Sequence, residues 1–324
     1  MKKRNPRHGS MQFWPRKRAS RETASVRSWA KSADAKLLGF AGYKVGMTQI
    51  GYTDNKKTSL TKGQDIITPV TVIECPPIKI VGARAYKKEL YATNVVAQTI
   101  TSGKDVAFPE AKNQTIPAID KVDVQSVDYV VAIVQTNPSK TGIGKKTPEV
   151  FETAIGGSVE DQIAFVTEHL GKEVAVSDVF NAGAFVDIHA VTKGYGTQGP
   201  VKRFGINLKQ KKSEKGQRAP GSISGGWVAQ QHMMYRVAYA GQTGYHLRTD
   251  YNKMIMLVDS DVSKINPKGG FVRYGEVKST YILLAGSVPG PRKRLLRITK
   301  AVRSKVEAVE APALDYISVE SKQG

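Results

Sequence analysis

Residues 184–192 read AFVDIHAVT, and the chain runs directly on into KGYGTQGPVKRFG at 193–205. The first stretch has the β-branched and aromatic content of a strand, with Phe185, Ile188 and Val191 as expected core residues. The second has no apolar period, and none returns before Arg218. A buried strand that gives way to a basic, glycine-rich excursion implies a β framework from which long segments leave.

Working outward, the same strand signature appears in LLGFAGY (37–43), VTVIEC (70–75) and IKIVGARAY (78–86). It returns in MIMLVD (254–259) and STYILLAGSV (279–288). Strands near 37–86, 184–192 and 254–288, apart in sequence, are expected to close one small barrel. Between them, VDYVVAIVQT (127–136) reads as a buried strand ended by the turn-like NPSKTG. SVEDQIAFVTEHL (158–170) is the clearest helix: Ser158 and Asp161 make a capping box, and Val159, Ile163, Val166 and Leu170 share a face before Gly171.

The expected organisation is an extended basic arm at 1–36, barrel segments at 37–86, 181–192 and 254–290, and an acidic α/β insertion at 87–180. A basic finger occupies 193–253, and a basic, then mixed, tail occupies 291–324. The fold class is mainly β with an α/β insertion. Residues 1–36 show neither helical nor strand period, and Phe13 and Trp14 lie among Arg and Pro, where no core is expected.

Charge is segregated along this plan. The 324 residues carry 49 Lys and Arg against 28 Asp and Glu, a formal net charge of +21. Residues 1–31 hold ten bases and one acid, 193–218 eight and one, and 278–305 eight and none. Residues 105–178 reverse this, with twelve acids and six bases. A compact body so charged repels itself unless a polyanion neutralises it. Three basic runs interleaved with glycine and aromatics point to nucleic acid.

Other classes lack support. One cysteine, Cys75, excludes an intrachain disulfide and a thiolate metal cluster. The five histidines form no metal-ligand spacing, so no metal is expected. No apolar run approaches the roughly 18 residues of a membrane span. The basic N-terminus lacks the apolar stretch of a secretory signal, and Pro6, Gly9 and Pro15 break any amphipathic transit helix. A cytoplasmic protein without a membrane partner is expected. Gly194–Gly199 match G-x-G-x-x-G, yet no acidic residue follows about 20 positions later for a ribose. These glycines suit close backbone approach to phosphates instead. TGIGKKT (141–147) lacks the upstream glycine of a P-loop. With no catalytic constellation, neither an enzyme nor a cofactor is expected.

Candidate nucleic-acid contacts come mainly from the basic runs. In the arm they are Arg4, Arg7, His8, Arg16, Lys17 and Arg18. In the finger they are Lys193, Lys202, Arg203, Lys209, Lys211, Lys212, Lys215, Arg218, Arg236, His246, Arg248 and Lys253. Lys44, Arg292, Lys293 and Arg294 complete the set. Such cations position a backbone without reading sequence. Trp227 follows two glycines in a polar, basic neighbourhood. Its indole suits stacking on an unpaired base, or packing against Met233, Met234 or Tyr235. Composition leaves these two readings even, and charge alone also permits a DNA-binding architectural protein.

GFAGYKVGMTQI, AVTKGYGTQGPVKRFG, GWVAQQHMMYRVAYAGQTGYHLRTDYNKMI and GSVPGPRKRLLRIT closely resemble the universal large-subunit ribosomal protein L-three family. PRHGSMQFWPRKRA resembles its archaeal and eukaryotic form, and the length and acidic insertion resemble archaeal members. The resemblance implies a small SH3-like translation-protein barrel with long basic extensions, early action in subunit assembly, and a position near the elongation-factor site. It implies large-subunit ribosomal RNA and neighbouring ribosomal proteins as partners. It implies a finger approaching the peptidyl transferase region with Trp227 at its tip, which favours stacking. Gln49 replaces a histidine common in relatives, and QKKSEKGQR, with Glu214, replaces a more basic run. Lys215 stands where eukaryotic members carry a modifiable histidine, so regulation there does not carry over.

Overall fold

A computed structural model describes residues 8–55, 59–101, 117–119, 123–213, 216–220, 237–304 and 309–321. The chain divides into two compact units, one of 1–21 with 191–248 and the other of 22–190 with 249–324.

The larger unit is mainly β. Its first sheet contains β1 (Gly39–Thr53), β2 (Asp65–Glu74), β8 (Phe185–Val191), β11 (Leu247–Asp259), β12 (Tyr281–Ala285), β13 (Leu295–Lys300) and β14 (Leu314–Ile317). The order is β13-β8-β11-β12-β2-β1-β14, and β1 also pairs with β13, so the ladder path returns on itself. Gly39 faces Thr299 and Tyr43 faces Leu295 across that joint. Phe40, Tyr43, Ile50, Ile73, Ile188, Ile255, Tyr281 and Ile282 are fully buried on these strands. Gly42 is required where β1 runs beside the end of its antiparallel neighbour β2, because a Cβ there would sit 2.5 Å from Ile73 Cγ2, 2.6 Å from Cys75 Sγ and 2.9 Å from Glu74 O.

A second sheet has the order β4-β3-β5-β6, from β4 (Thr93–Ile100), β3 (Ile78–Lys88), β5 (Tyr129–Gln135) and β6 (Val150–Ala154). The short β7 (Glu173–Val174) also pairs with β3. The helix α1 (Val159–His169) has the expected capping box at Ser158 and Asp161, and buries Val166. Gln162, also buried, donates to Ile155 O and Gly157 O and accepts from Val130 N–H.

Three expectations change. IKIVGARAY lies in the second sheet rather than in the first, with the other segments it was expected to join. Pro76 and Pro77 precede it; proline has no N–H to continue a ladder, and the chain changes sheet there. The tail beyond 290 contributes β13, which is buried along most of its length, and β14. The cations of PRKR mask the apolar pattern of LLRIT that follows them. Phe185 is only partly buried, whereas Val186 and Ala190 join Ile188 and Val191 in the core, because β8 is covered on both faces.

The two completely buried carboxylates of this unit, Glu74 and Asp187, are paired. Glu74 is completely buried; it accepts from Lys278 N–H at 2.7 Å, Ser279 N–H at 2.8 Å and the Tyr274 hydroxyl. Asp187 accepts from the backbone N–H of Asn252 and of Val302. Such pairing offsets the cost of removing a carboxylate from water.

Candidate nucleic-acid interface

The smaller unit joins the arm to the basic segment. β9 (Thr197–Gln198) pairs with β10 (Gly241–Gln242), and α2 (Pro200–Phe204) starts on proline and ends at Gly205 in the left-handed conformation. This five-residue helix is too short to build a dinucleotide site.

Residues 8–21 contain no helix or strand, but they are not coreless as expected. Trp14 lies 6.1 Å from Phe204 between ring centroids, and the Arg16 guanidinium lies 4.4 Å over Phe204. Arg16 Nη1 donates to Arg203 O, while Arg203 Nη2 donates to Arg16 O. Ala19 N–H donates to Tyr245 O at 2.8 Å. At least 187 residues separate each pair of partners, so local sequence does not display the contact.

Several candidate cations are committed internally. Arg203 also donates to the carbonyls of Tyr239 and Gln242, and burial, then Arg16, lowers its pKa. His246 Nδ1 lies 2.8 Å from Lys17 O and must donate to it, so the neutral ring keeps Nε2 as acceptor. Burial lowers the His246 pKa, and the bond to Lys17 opposes this. The Arg248 guanidinium covers Phe13 at 4.7 Å.

The larger unit holds further cases. Lys44 Nζ donates to Val288 O at 2.6 Å and Gly290 O at 3.0 Å, and burial, then Arg292, lowers its pKa. Lys44 is therefore an internal tie rather than the surface contact expected. Lys253 pairs with Asp250 at 3.0 Å, and Arg294 with Glu22 at 3.3 Å. Arg292 and Lys293 are exposed.

In the smaller unit, Lys17, Arg18, Lys193, Lys202, Lys211, Lys212 and Arg218 are exposed, whereas His8 and Lys209 are partly buried. Arg18 lies 5.1 Å over Tyr245. Lys193 and Lys202 lie 5.6 and 5.4 Å over Tyr195. Tyr195 is 49% exposed and Phe13 is 53% exposed. Neither ring stands out in sequence as Trp227 does, although Tyr195 lies inside the glycine motif at 194–199. Arg4, Arg7, Lys215, Trp227 and Arg236 lie outside the described residues.

The described residues of this unit include no Asp or Glu. Its cations therefore have no internal carboxylate among those residues, and the arrangement presents a standing positive field. Among all described residues, no group of His, Cys, Asp and Glu could hold a metal, and no helix is long and apolar enough to cross a membrane.

The molecule is thus a mainly-β scaffold with a smaller unit whose exposed cations have no carboxylate among its described residues. The family model described as ribosomal protein L3 matches residues 1–105 and 109–324. The large ribosomal subunit protein uL3 of Methanococcoides burtonii is 45% identical, with 98% of each chain covered. Those of Methanobrevibacter smithii and Archaeoglobus fulgidus are 44% and 40% identical, covering 98% and 100% of each chain. The chain belongs to the ribosomal protein L3 family, a structural component of the large ribosomal subunit rather than an enzyme.

Proposed function

We propose that this chain binds large-subunit ribosomal RNA through its arm and basic segment, supports early subunit assembly, and extends its finger toward the peptidyl transferase centre of the cytoplasmic ribosome. The observation that carries the proposal is the cation-rich unit without a described carboxylate. A polyanion is the counter-charge that such a surface requires. Lys17, Arg18, Lys193, Lys202, Lys209, Lys211, Lys212 and Arg218 would neutralise phosphates, with Arg292 and Lys293 adding contacts from the other unit. On the family resemblance, Trp227 stands at the finger tip and stacks on RNA. Neighbouring ribosomal proteins are the remaining partners in this reading.

The test is retention of the full chain by large-subunit ribosomal RNA and by chromosomal DNA between 50 and 200 mM salt. With about six to ten phosphate contacts, RNA affinity should fall roughly 10³–10⁵-fold over that range. Equal or tighter retention by DNA would favour an architectural DNA-binding role instead.

A further inference from the structure

We propose that Tyr195 is a stacking platform for one unpaired RNA base, with Lys193 and Lys202 holding the phosphates that flank that nucleotide. The inference rests on the RNA-binding reading above and assigns a particular subsite within it.

Tyr195 is exposed yet held in place. Its N–H donates to Thr243 O at 2.9 Å, and its carbonyl accepts from Gln198 Nε2 at 2.7 Å. On either side, Thr243 N–H donates to Gly196 O and Tyr245 N–H donates to Lys193 O. Gly244, at φ +71°, allows the Lys193 carbonyl to close against it; a Cβ there would collide with that oxygen and reach Tyr195 Cδ2 at 3.1 Å. The backbone at Tyr195 is thus fixed, and one edge of its ring lies beside Gly244.

The neighbouring glycines have a different character. A Cβ at Gly196 or Gly199 would meet no described atom within 4 Å, whereas one at Gly194 would lie 3.3 Å from Tyr245 Cβ. The glycine motif therefore combines a braced backbone at Tyr195 with a half-exposed ring. That arrangement suits a flat group laid on the phenol.

The lysines identify the rest of the ligand. Two exposed ammonium groups converge on one ring, and no described residue of the unit supplies a carboxylate to separate or neutralise them. Neither is at van der Waals contact with the ring, and exposed cation–π contacts are weak. A lysine side chain can leave the ring for a nearby phosphate, which uncovers the face for a base. A single strand meets both requirements, because its bases are free to stack outward and its phosphates track the cations. A duplex keeps its bases stacked internally.

Filter binding of the full chain to single-stranded segments of large-subunit ribosomal RNA tests the assignment. One uridine replaced by 5-iodouridine permits photocrosslinking to the stacked ring. Tyr195→Leu should weaken binding roughly 5- to 150-fold and abolish a crosslink mapped to residue 195. Tyr195→Phe should retain both. The Lys193→Gln, Lys202→Gln double variant should reduce the salt slope by about 1.4. Wild-type affinity and slope in the Leu variant would overturn the platform while leaving RNA binding intact. Equal losses in the Phe and Leu variants, or a preference for duplex, would also overturn it. If the wild-type chain retains no RNA at low salt, the underlying reading fails and the platform with it.

Discussion

Replacing Lys211 and Lys212 together by Gln should separate surface cations from committed ones. Both side chains are exposed, and neither makes a hydrogen bond or ion pair with another described residue. The segment is held by main-chain groups, with Lys209 N–H donating to Gln217 O and Gln217 Nε2 donating to Lys211 O. Loss of the ammonium groups should leave the fold unchanged. Each phosphate contact contributes about 0.9 to the slope of log affinity against log salt on a B-form duplex, and about 0.7 on single strands. Two lost contacts should reduce the slope by about 1.4–1.8, which is roughly a tenfold smaller fall in affinity between 50 and 200 mM salt. Lys44→Met is the matched control. It removes a cation that donates to the carbonyls of Val288 and Gly290, so the slope should not change. It strands two partly buried acceptors, and stability should fall by about 1–3 kcal/mol. Filter binding over a salt series, paired with thermal unfolding, reads both quantities. An unchanged slope in the double Gln variant, or a slope reduced by Lys44→Met, would refute this division of the cations.

Burial, then Arg297, holds the His189 imidazole at about 4, below its ordinary 6.5, while Asp187 opposes the shift. The unfolded chain binds this proton first, so stability is complete above about pH 6.5 and is lost as pH falls toward 4. In Tm measurements over that window, His189→Gln should decline less steeply; an identical decline would remove His189 from the account. Glu74→Ala should cost about 1–3 kcal/mol in urea unfolding, since it leaves Tyr274, Lys278 and Ser279 without their buried acceptor. A loss below about 1 kcal/mol would show that water replaces the carboxylate. Gly42→Ala should cost about 1–3 kcal/mol through the close approach of Cys75 and Glu74, and unchanged stability would show that β1 and β2 can separate there freely.

Strands were legible wherever Val, Ile and aromatic residues ran together between breakers, and α1 was legible down to its cap. Assignment to a sheet was less so. IKIVGARAY looks the same whichever sheet takes it, and only its pairing with β4 and β5 decides. The candidate site was legible as charge but not as commitment. A lysine that donates to carbonyls more than 240 residues away is indistinguishable, in sequence, from one in solvent. Tyr195 was hidden for the converse reason, because its brace comes from Thr243 and Gly244.

Internal use of cations also changes what the net charge of +21 means. Arg297 is buried in the larger unit; it donates to the carbonyls of Ala24 and Glu152 and lies 4.5 Å over Phe151. Desolvation lowers its pKa to about 10, with the nearby Glu152 opposing, so the guanidinium still carries its proton at neutral pH. Its charge is real but has no access to a phosphate. Arg203 and Arg16 behave similarly in the smaller unit, where their forks fasten the arm to α2 and β10. Arginine suits this task, since one planar head can hold several carbonyls at once. Among the exposed candidates of that unit, lysines predominate, each a flexible point charge able to follow a phosphate. The two cation types therefore divide the work by chemistry, arginine building the surface and lysine presenting most of its charge.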